Sequence, residues 1–116
     1  MEIGEGAAIS RKASLDKSIN PMGIHIGKKT RLTGGVVVLA HDASRGIKTD
    51  TYIGDNCFIG VRSIIMPGIK IGNEVVVGAG SVVTKDVPNN CMVVGNPAKI
   101  IKENIHCGEY GVIKNS

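Results

Sequence analysis

The chain has 116 residues, one domain's worth, with a formal charge of +4 spread over scattered lysines and arginines rather than blocks, which argues against a nucleic-acid partner. Aromatics make up 3% with no tryptophan while glycine occurs 16 times, so the core must be filled by branched aliphatics between frequent turns, the composition of many short strands. Residues 1–8 lack the basic and apolar regions of a signal peptide, the longest apolar run (Val36 to Ala40) is too short to cross a bilayer, and three cysteines without CxxC spacing disfavour disulfides and zinc ribbons; the expectation is a cytoplasmic chain with no integral membrane segment.

A six-residue step runs along the sequence. It opens with Ile3, Ile9 and Leu15, slips by one residue around the turn-forming stretch Asn20-Pro21-Met22-Gly23, and resumes with Ile26, Leu32 and Val38. The stretch GGVVVLAHDASRG (34–46) then breaks off an aliphatic run into His41 and Asp42. Val38 to Ile53 is fifteen residues where two repeats need twelve, so the excess over 42–50 is expected to bulge outward. From Ile53 the step is unbroken through Ile59, Ile65, Ile71, Val77 and Val83, and glycine follows four of the six, at Gly54, Gly60, Gly72 and Gly78. The fourth place after each holds Cys57, Ser63, Ile69, Val75, Ser81 and Val87, all small or apolar. The pattern fades through Pro88-Asn89-Asn90 and returns loosely at Cys91-Met92-Val93-Val94. Pro97 followed by Ala98 to Asn104 predicts a short terminal helix closing the stack, and 105–116 is a tail with no assigned structure.

Neither a helix nor a long alternating strand keeps an aliphatic at every sixth place beside a glycine. A chain that runs a few extended residues, turns and repeats does so, with three legs closing a triangular coil of about eighteen residues whose neighbours stack by strand pairing. The prediction is an all-β parallel β-helix over a single domain, residues 1–104.

The ordered set YIGDNCFIGVRSIIMPGIKIGNEVVVGAGSVVTKDV, the ending VVGNPAKII and LAHD one coil earlier resemble the hexapeptide-repeat acyltransferase family over roughly residues 24–104. The resemblance implies a left-handed β-helix, a homotrimer with active sites between subunits, and transfer of an acyl group from acyl-coenzyme A to a hydroxyl or amine. Handedness comes from the resemblance alone, because parallel crossovers are ordinarily right-handed.

An alcohol attacking a thioester needs a base for its proton, and histidine, with an ordinary pKa near 6.5, suits that task. His41 lies three places after the inward Val38, off the core-facing slots, and by resemblance matches the family's general base; the plain alternative is a surface histidine ending a strand. Asp42 is the candidate to orient the imidazole or hold acceptor hydroxyls, with Arg45, Lys48 and Asp50 as further acceptor contacts or simply a solvated loop. For acetyl-coenzyme A the candidates are Gly60, Gly78 and Gly80, which let backbone approach the pantetheine arm, and, by resemblance, Ser63, Ala79, Lys85, Pro97 and Lys99 along the coenzyme groove. The alternative for the glycines is that the six-residue turn needs them whatever the function, as is expected for Gly54 and Gly72.

VGAGSVV lacks the flanking strand and long helix of a dinucleotide loop. His25 and His106 suggest no metal cluster, so no metal is expected and a metal-dependent β-helix hydratase is disfavoured; Cys57 fills an inward slot, and Cys91 and Cys107 have no base nearby. Phe58 stands where the family often has tryptophan. The repeats start at Ile3 without the helical leader of the serine enzymes, which points to a saccharide hydroxyl as acceptor. N-acylation of an amino sugar and a non-catalytic scaffold remain the alternatives.

Overall fold

The computed structural model describes residues 1–16, 20, 22–42 and 46–114, with Asp42 and Ile47 described in their backbone only. Ile19, Pro21 and Arg45, and the side chain of Asp42, therefore lie outside the described residues. Strands of mostly two residues stack in three parallel sheets that form the sides of a prism. Side one stacks Glu2–Ile3, Ile24–Ile26, Thr51–Ile53 and Lys70–Ile71. Side two stacks Ala8–Ile9, Arg31–Leu32, Phe58–Ile59, Val76–Val77 and Met92–Gly95, and side three stacks Ser14–Leu15, Val37–Val38, Ile64–Ile65 and Val82–Val83.

The register sets each periodic aliphatic on its equivalent one coil away, as Leu32 on Ile59 and Ile59 on Val77. These side chains fill the prism: Ile53, Ile59, Ile65, Ile71, Val77 and Val83 are all at most 3% exposed. A core this narrow has polar backbone on every side, and its few inward hydroxyls are spent on carbonyls at the corners. Thr30 donates to the Gly54 carbonyl (2.6 Å), Thr51 to Leu39 (2.6 Å) and Ser63 to Gly78 (3.0 Å).

The corners explain the six-residue rule. The third residue after a ladder aliphatic is left-handed at Gly6, Lys29, Gly35, Asn56, Arg62, Gly68, Glu74 and Gly80, with φ of 52 to 80°, and this is where the chain turns. Glycine holds four of those eight places. The glycines that follow the aliphatics directly have another cause, closeness to the next coil. A Cβ on Gly54 would lie 2.5 Å from the Gly72 carbonyl oxygen and against the Asn73 side chain, and one on Gly72 would lie 2.8 Å from the Asn89 nitrogen. Those side chains form a ladder at the corner between sides one and two. Asp55 accepts from the Lys28 N–H (2.7 Å), Asn73 from Asp55 (2.8 Å) and Asn89 from Asn73 (2.8 Å). The sequence expectation that the turn itself needs Gly54 and Gly72 is replaced by this packing.

The C-terminal end departs from expectation. Ala98–Lys102 is a strand, not a helix, pairing antiparallel with Met92–Gly95 at the edge of side two. The left-handed Gly95 (φ 111°) begins the reversal, and the unpaired edge offers AKIIK a row of backbone partners that a helix would leave unsatisfied. Residues 105–114 are likewise not a loose tail. They run back down the corner between sides one and two: Ile105 N–H donates to Asn90, Cys107 N–H to the Glu74 carboxylate (2.8 Å), and Tyr110 N–H to Lys29 (2.7 Å). Gly111 presses on Phe58, where a Cβ would lie 2.5 Å from its backbone nitrogen. No helix among the described residues is long and apolar enough to cross a membrane.

Candidate active site

His41 occupies the third place after Val38, the slot that on most other legs holds a left-handed corner residue. Here the chain does not turn. It leaves the prism at the corner between sides three and one as an antiparallel pair, His41–Asp42 against Ile47–Lys48, and rejoins at Thr51. Asn20 clamps the foot of this hairpin, its Nδ2 donating to the carbonyls of Ala40 (2.9 Å) and Thr49 (3.3 Å), one on each limb.

The imidazole is one-fifth exposed, and its Nδ1 lies 2.5 Å from Oδ2 of Asp16, a carboxylate only 7% exposed. The same Oδ2 accepts the Ala40 N–H at 3.2 Å, so the carboxylate is fixed from two directions. An ionised carboxylate can only accept, which places the proton of a neutral ring on Nδ1 and the lone pair on Nε2. Among the described residues Nε2 has no partner. A base with one nitrogen held by a buried acid and a lone pair on the other is the arrangement general-base chemistry requires. Asp16 escaped the sequence reading, which looked to Asp42; Asp42 is seen here only as backbone, paired with Ile47.

The coenzyme candidates fall in two groups. Gly60, Ser63, Gly78, Ala79 and Gly80 lie between sides two and three, where Ala79 and Gly80 are exposed while Ser63 is fully buried with its hydroxyl committed to Gly78. A Cβ on Gly80 would meet nothing within 4 Å, so this turn presents bare backbone. Lys85 lies at the corner of His41, two coils further along, while Pro97 and Lys99 come from the hairpin at the edge of side two; together they line a cleft of about 380 Å³ with Thr84, Asp86 and Val87. Coils stack at about 4.8 Å, so cleft and imidazole are roughly 10 Å apart along the prism. Lys48 and Asp50 flank the hairpin's return limb, but Asp50 faces side one, with its Oδ2 3.4 Å from His25 Nε2 and 3.3 Å from the Tyr52 hydroxyl.

Burial pushes the Cys57 thiol up to about 12 despite hydrogen bonds from Val75 and Thr30 that work the other way. It is a protonated, inward core group at neutral pH. Cys91 and Cys107 are also raised by burial, and all three thiols are unpaired. Among the described residues no three His, Cys, Asp or Glu side chains gather into a metal-binding group.

A prism of parallel two-residue strands with an outward hairpin that presents a histidine backed by an aspartate defines a left-handed β-helix enzyme fold. A family profile described as hexapeptide repeat of succinyl-transferase matches residues 51–85. Protein CapG of Staphylococcus aureus is 45% identical over 119 residues, covering 91% of this chain and 69% of that protein. A maltose O-acetyltransferase from Clostridium difficile 630 superposes with a TM-score of 0.67 at 34% identity, covering 88% of this chain and 68% of its own. The hexapeptide-repeat acetyltransferase VCA0836 of Vibrio cholerae O1 biovar eltor, complexed with acetyl-coenzyme A, gives 0.65 at 25% identity, covering 88% and 70%. The chain belongs to the hexapeptide-repeat acyltransferase family. It spans from 17% to 69% of the lengths of two curated relatives it matches.

Proposed function

We propose that the protein transfers an acetyl group from acetyl-coenzyme A to a hydroxyl of a sugar or polysaccharide unit, with His41 as general base. The observation that carries this reading is the Asp16–His41 pair at the foot of the hairpin that leaves the coil. His41 Nε2 takes the acceptor hydroxyl's proton as that oxygen bonds to the thioester carbonyl carbon. Asp16 holds the Nδ1 proton and balances the imidazolium that forms. When the carbon–sulfur bond breaks, the imidazolium returns the proton to the departing thiolate, so the enzyme ends as it began. Lys85 and Lys99 supply positive charge for the coenzyme's phosphates at the mouth of the cleft.

Two further points support the reading. The candidates Gly60, Ser63, Gly78, Ala79 and Gly80 are separated from the corner of His41 and Lys85 by side three, whose outward residues Val37, Ile64 and Val82 form an aliphatic column. Packing that side against a neighbour in a homotrimer sets one subunit's Ala79-Gly80 turn beside the next subunit's imidazole. Unpaired thiols suit a cytoplasmic setting. The saccharide acceptor follows the likeness to the maltose enzyme.

The test follows free thiol released from acetyl-coenzyme A across a panel of sugars, amino sugars and serine. A sugar-dependent rate that His41→Ala lowers by about a hundredfold or more is the expected result. Release that is independent of any acceptor, or a His41→Ala variant as fast as the wild type, would refute the assignment; turnover of amino sugars alone would move it to N-acylation.

A further inference from the structure

Charges that are scattered along the sequence are sorted by the fold. The corner between sides one and two mixes signs, with Glu5, Asp55 and Glu74 beside Lys28 and Lys29, and the corner of His41 holds Asp16 and Asp86. The corner between sides two and three differs from both. It is formed by residues 10–13, 33–36, 60–63 and 78–81, of which none is acidic while three, Arg11, Lys12 and Arg62, are basic. Arg31 adds a cation beside it, outward on side two between Ala8 and Phe58. All four are exposed, and among the described residues none of them pairs with a carboxylate. Like charges that folding brings together repel, and here no acid is interleaved to offset them.

The column is also regularly spaced. Lys12, Gly35, Arg62 and Gly80 are equivalent residues on four successive coils, each three places before a ladder aliphatic of side three. Backbone hydrogen bonds join the successive corners, from Gly35 N–H to Lys12 (3.3 Å), Arg62 N–H to Gly34 (3.0 Å) and Gly80 N–H to Val61 (2.8 Å). Cation thus alternates with glycine, and Lys12 and Arg62 stand two coils, roughly 10 Å, apart. The coil between them shows bare backbone at Gly34-Gly35. The stem of Arg62 leans across it, since a Cβ on Gly35 would come within 2.9 Å of Arg62 Cγ, whereas one on Gly34 would meet only Ser10 Oγ, at 3.9 Å. A groove of about 370 Å³ opens beside this saddle, with Ser10, Arg31, Thr33 and Gly34 in its lining.

These features select a ligand. A single carboxylate cannot bridge cations two coils apart, so the charges that match them must come in a row along one molecule. Grooves that take nucleic acid without regard to sequence interleave their cations with aromatic side chains on which bases stack, and this corner has no aromatic residue. Glycine instead lets a ring approach the backbone closely, and the Ser10 and Thr33 hydroxyls stand alongside for polar contacts. One coil beyond Arg62 the same column arrives at the Ala79-Gly80 turn, so a strand bound along it is led to the coenzyme candidates.

We infer that the corner of Arg11, Lys12 and Arg62, with Arg31 at its flank, is a track for an acidic glycan strand, and that such a strand carries the acceptor hydroxyl. The second half rests on the acyltransfer reading; the track itself does not. The test measures binding of labelled oligogalacturonate and oligohyaluronate to the full chain in the absence of acetyl-coenzyme A, with uncharged maltohexaose and a short oligothymidylate as controls. An acidic glycan is expected to bind at least about tenfold more tightly than either control, and less tightly as salt is raised. Arg62→Gln combined with Lys12→Gln is expected to weaken that binding about tenfold. Lys28→Gln combined with Lys114→Gln removes the same net charge from the corner between sides one and two and should leave it unchanged, circular dichroism confirming that both variants fold. Acidic glycans bound no better than maltohexaose, oligothymidylate bound as tightly, or equal losses in the two double variants would overturn the inference. Binding that meets these expectations without thiol release from acetyl-coenzyme A would uphold the track and remove the acyltransfer reading. Release as fast with maltohexaose as with the acidic glycans would overturn the track's part in choosing the acceptor.

Discussion

Asn20 stands under the hairpin that carries His41 and ties both limbs through one amide. Gly23 is shaped to it, since a Cβ there would collide with the Asn20 side chain. Removing the amide leaves two buried-side carbonyls short of a donor and lets the hairpin foot spread. Asn20→Ala is therefore expected to lower kcat about tenfold or more while the KM for acetyl-coenzyme A stays put, because the cleft at Lys85 and Lys99 is built on other coils. Asn20→Asp, which keeps the shape but cannot donate, should behave like alanine rather than wild type; an unchanged kcat in either variant removes Asn20 from the positioning apparatus. His41 was legible in the sequence because it follows an unbroken aliphatic register. Asp16 was not, for a physical reason: its ladder neighbour across the coil is Leu39, and only the departure of the chain at the corner brings His41 back over it. That departure is read from where the backbone goes, not from spacing.

At the scale of the repeat, the left-handed corner residue and the glycine perform separate tasks. Lys29, Asn56, Arg62 and Glu74 turn without glycine, whereas Gly54 and Gly72 make room for the Asn73 and Asn89 side chains that cap the coil below. A methyl at Gly72 meets backbone that cannot step aside, so Gly72→Ala is expected to cost about 1–3 kcal/mol. Asn89→Ala in the same chain should recover little of it, since the Asn89 nitrogen and Cα are themselves 2.8 and 3.0 Å from the added carbon. Equilibrium denaturation of the single and double variants measures both; a neutral Gly72→Ala would mean that the coils are looser than their geometry indicates. The sequence showed the strands, their inward residues and the outward bulge with fidelity because burial repeats every six residues. It misassigned Ala98–Lys102 because the repeat has ended there, and local propensity does not know that an open strand edge is waiting alongside.

For the whole molecule, the three sides differ in what they turn outward. Side one shows Glu2, His25, Tyr52 and Lys70, with the His25 and Tyr52 rings stacked at 4.4 Å, a solvated polar ladder. Side three shows Val37, Ile64 and Val82. On the proposed homotrimer, Ile64→Lys, at an outward position, should leave the coil folded yet reduce the assembly to single prisms and abolish turnover, as sedimentation and the thiol-release assay would record together; a variant that stays assembled and active would put the subunit contact elsewhere. The run from Ile105 to Gly111 touches coils far apart in the chain, Asn90 first and Lys29 last. Each coil can settle on its predecessor as it emerges from the ribosome, but the strip that binds their common corner is made only after every coil it touches. A nascent prism is thus stacked long before it is fastened, and a chain stopped just before Ile105 would have nearly every rung in place with only the Asp55–Asn73–Asn89 ladder across that seam.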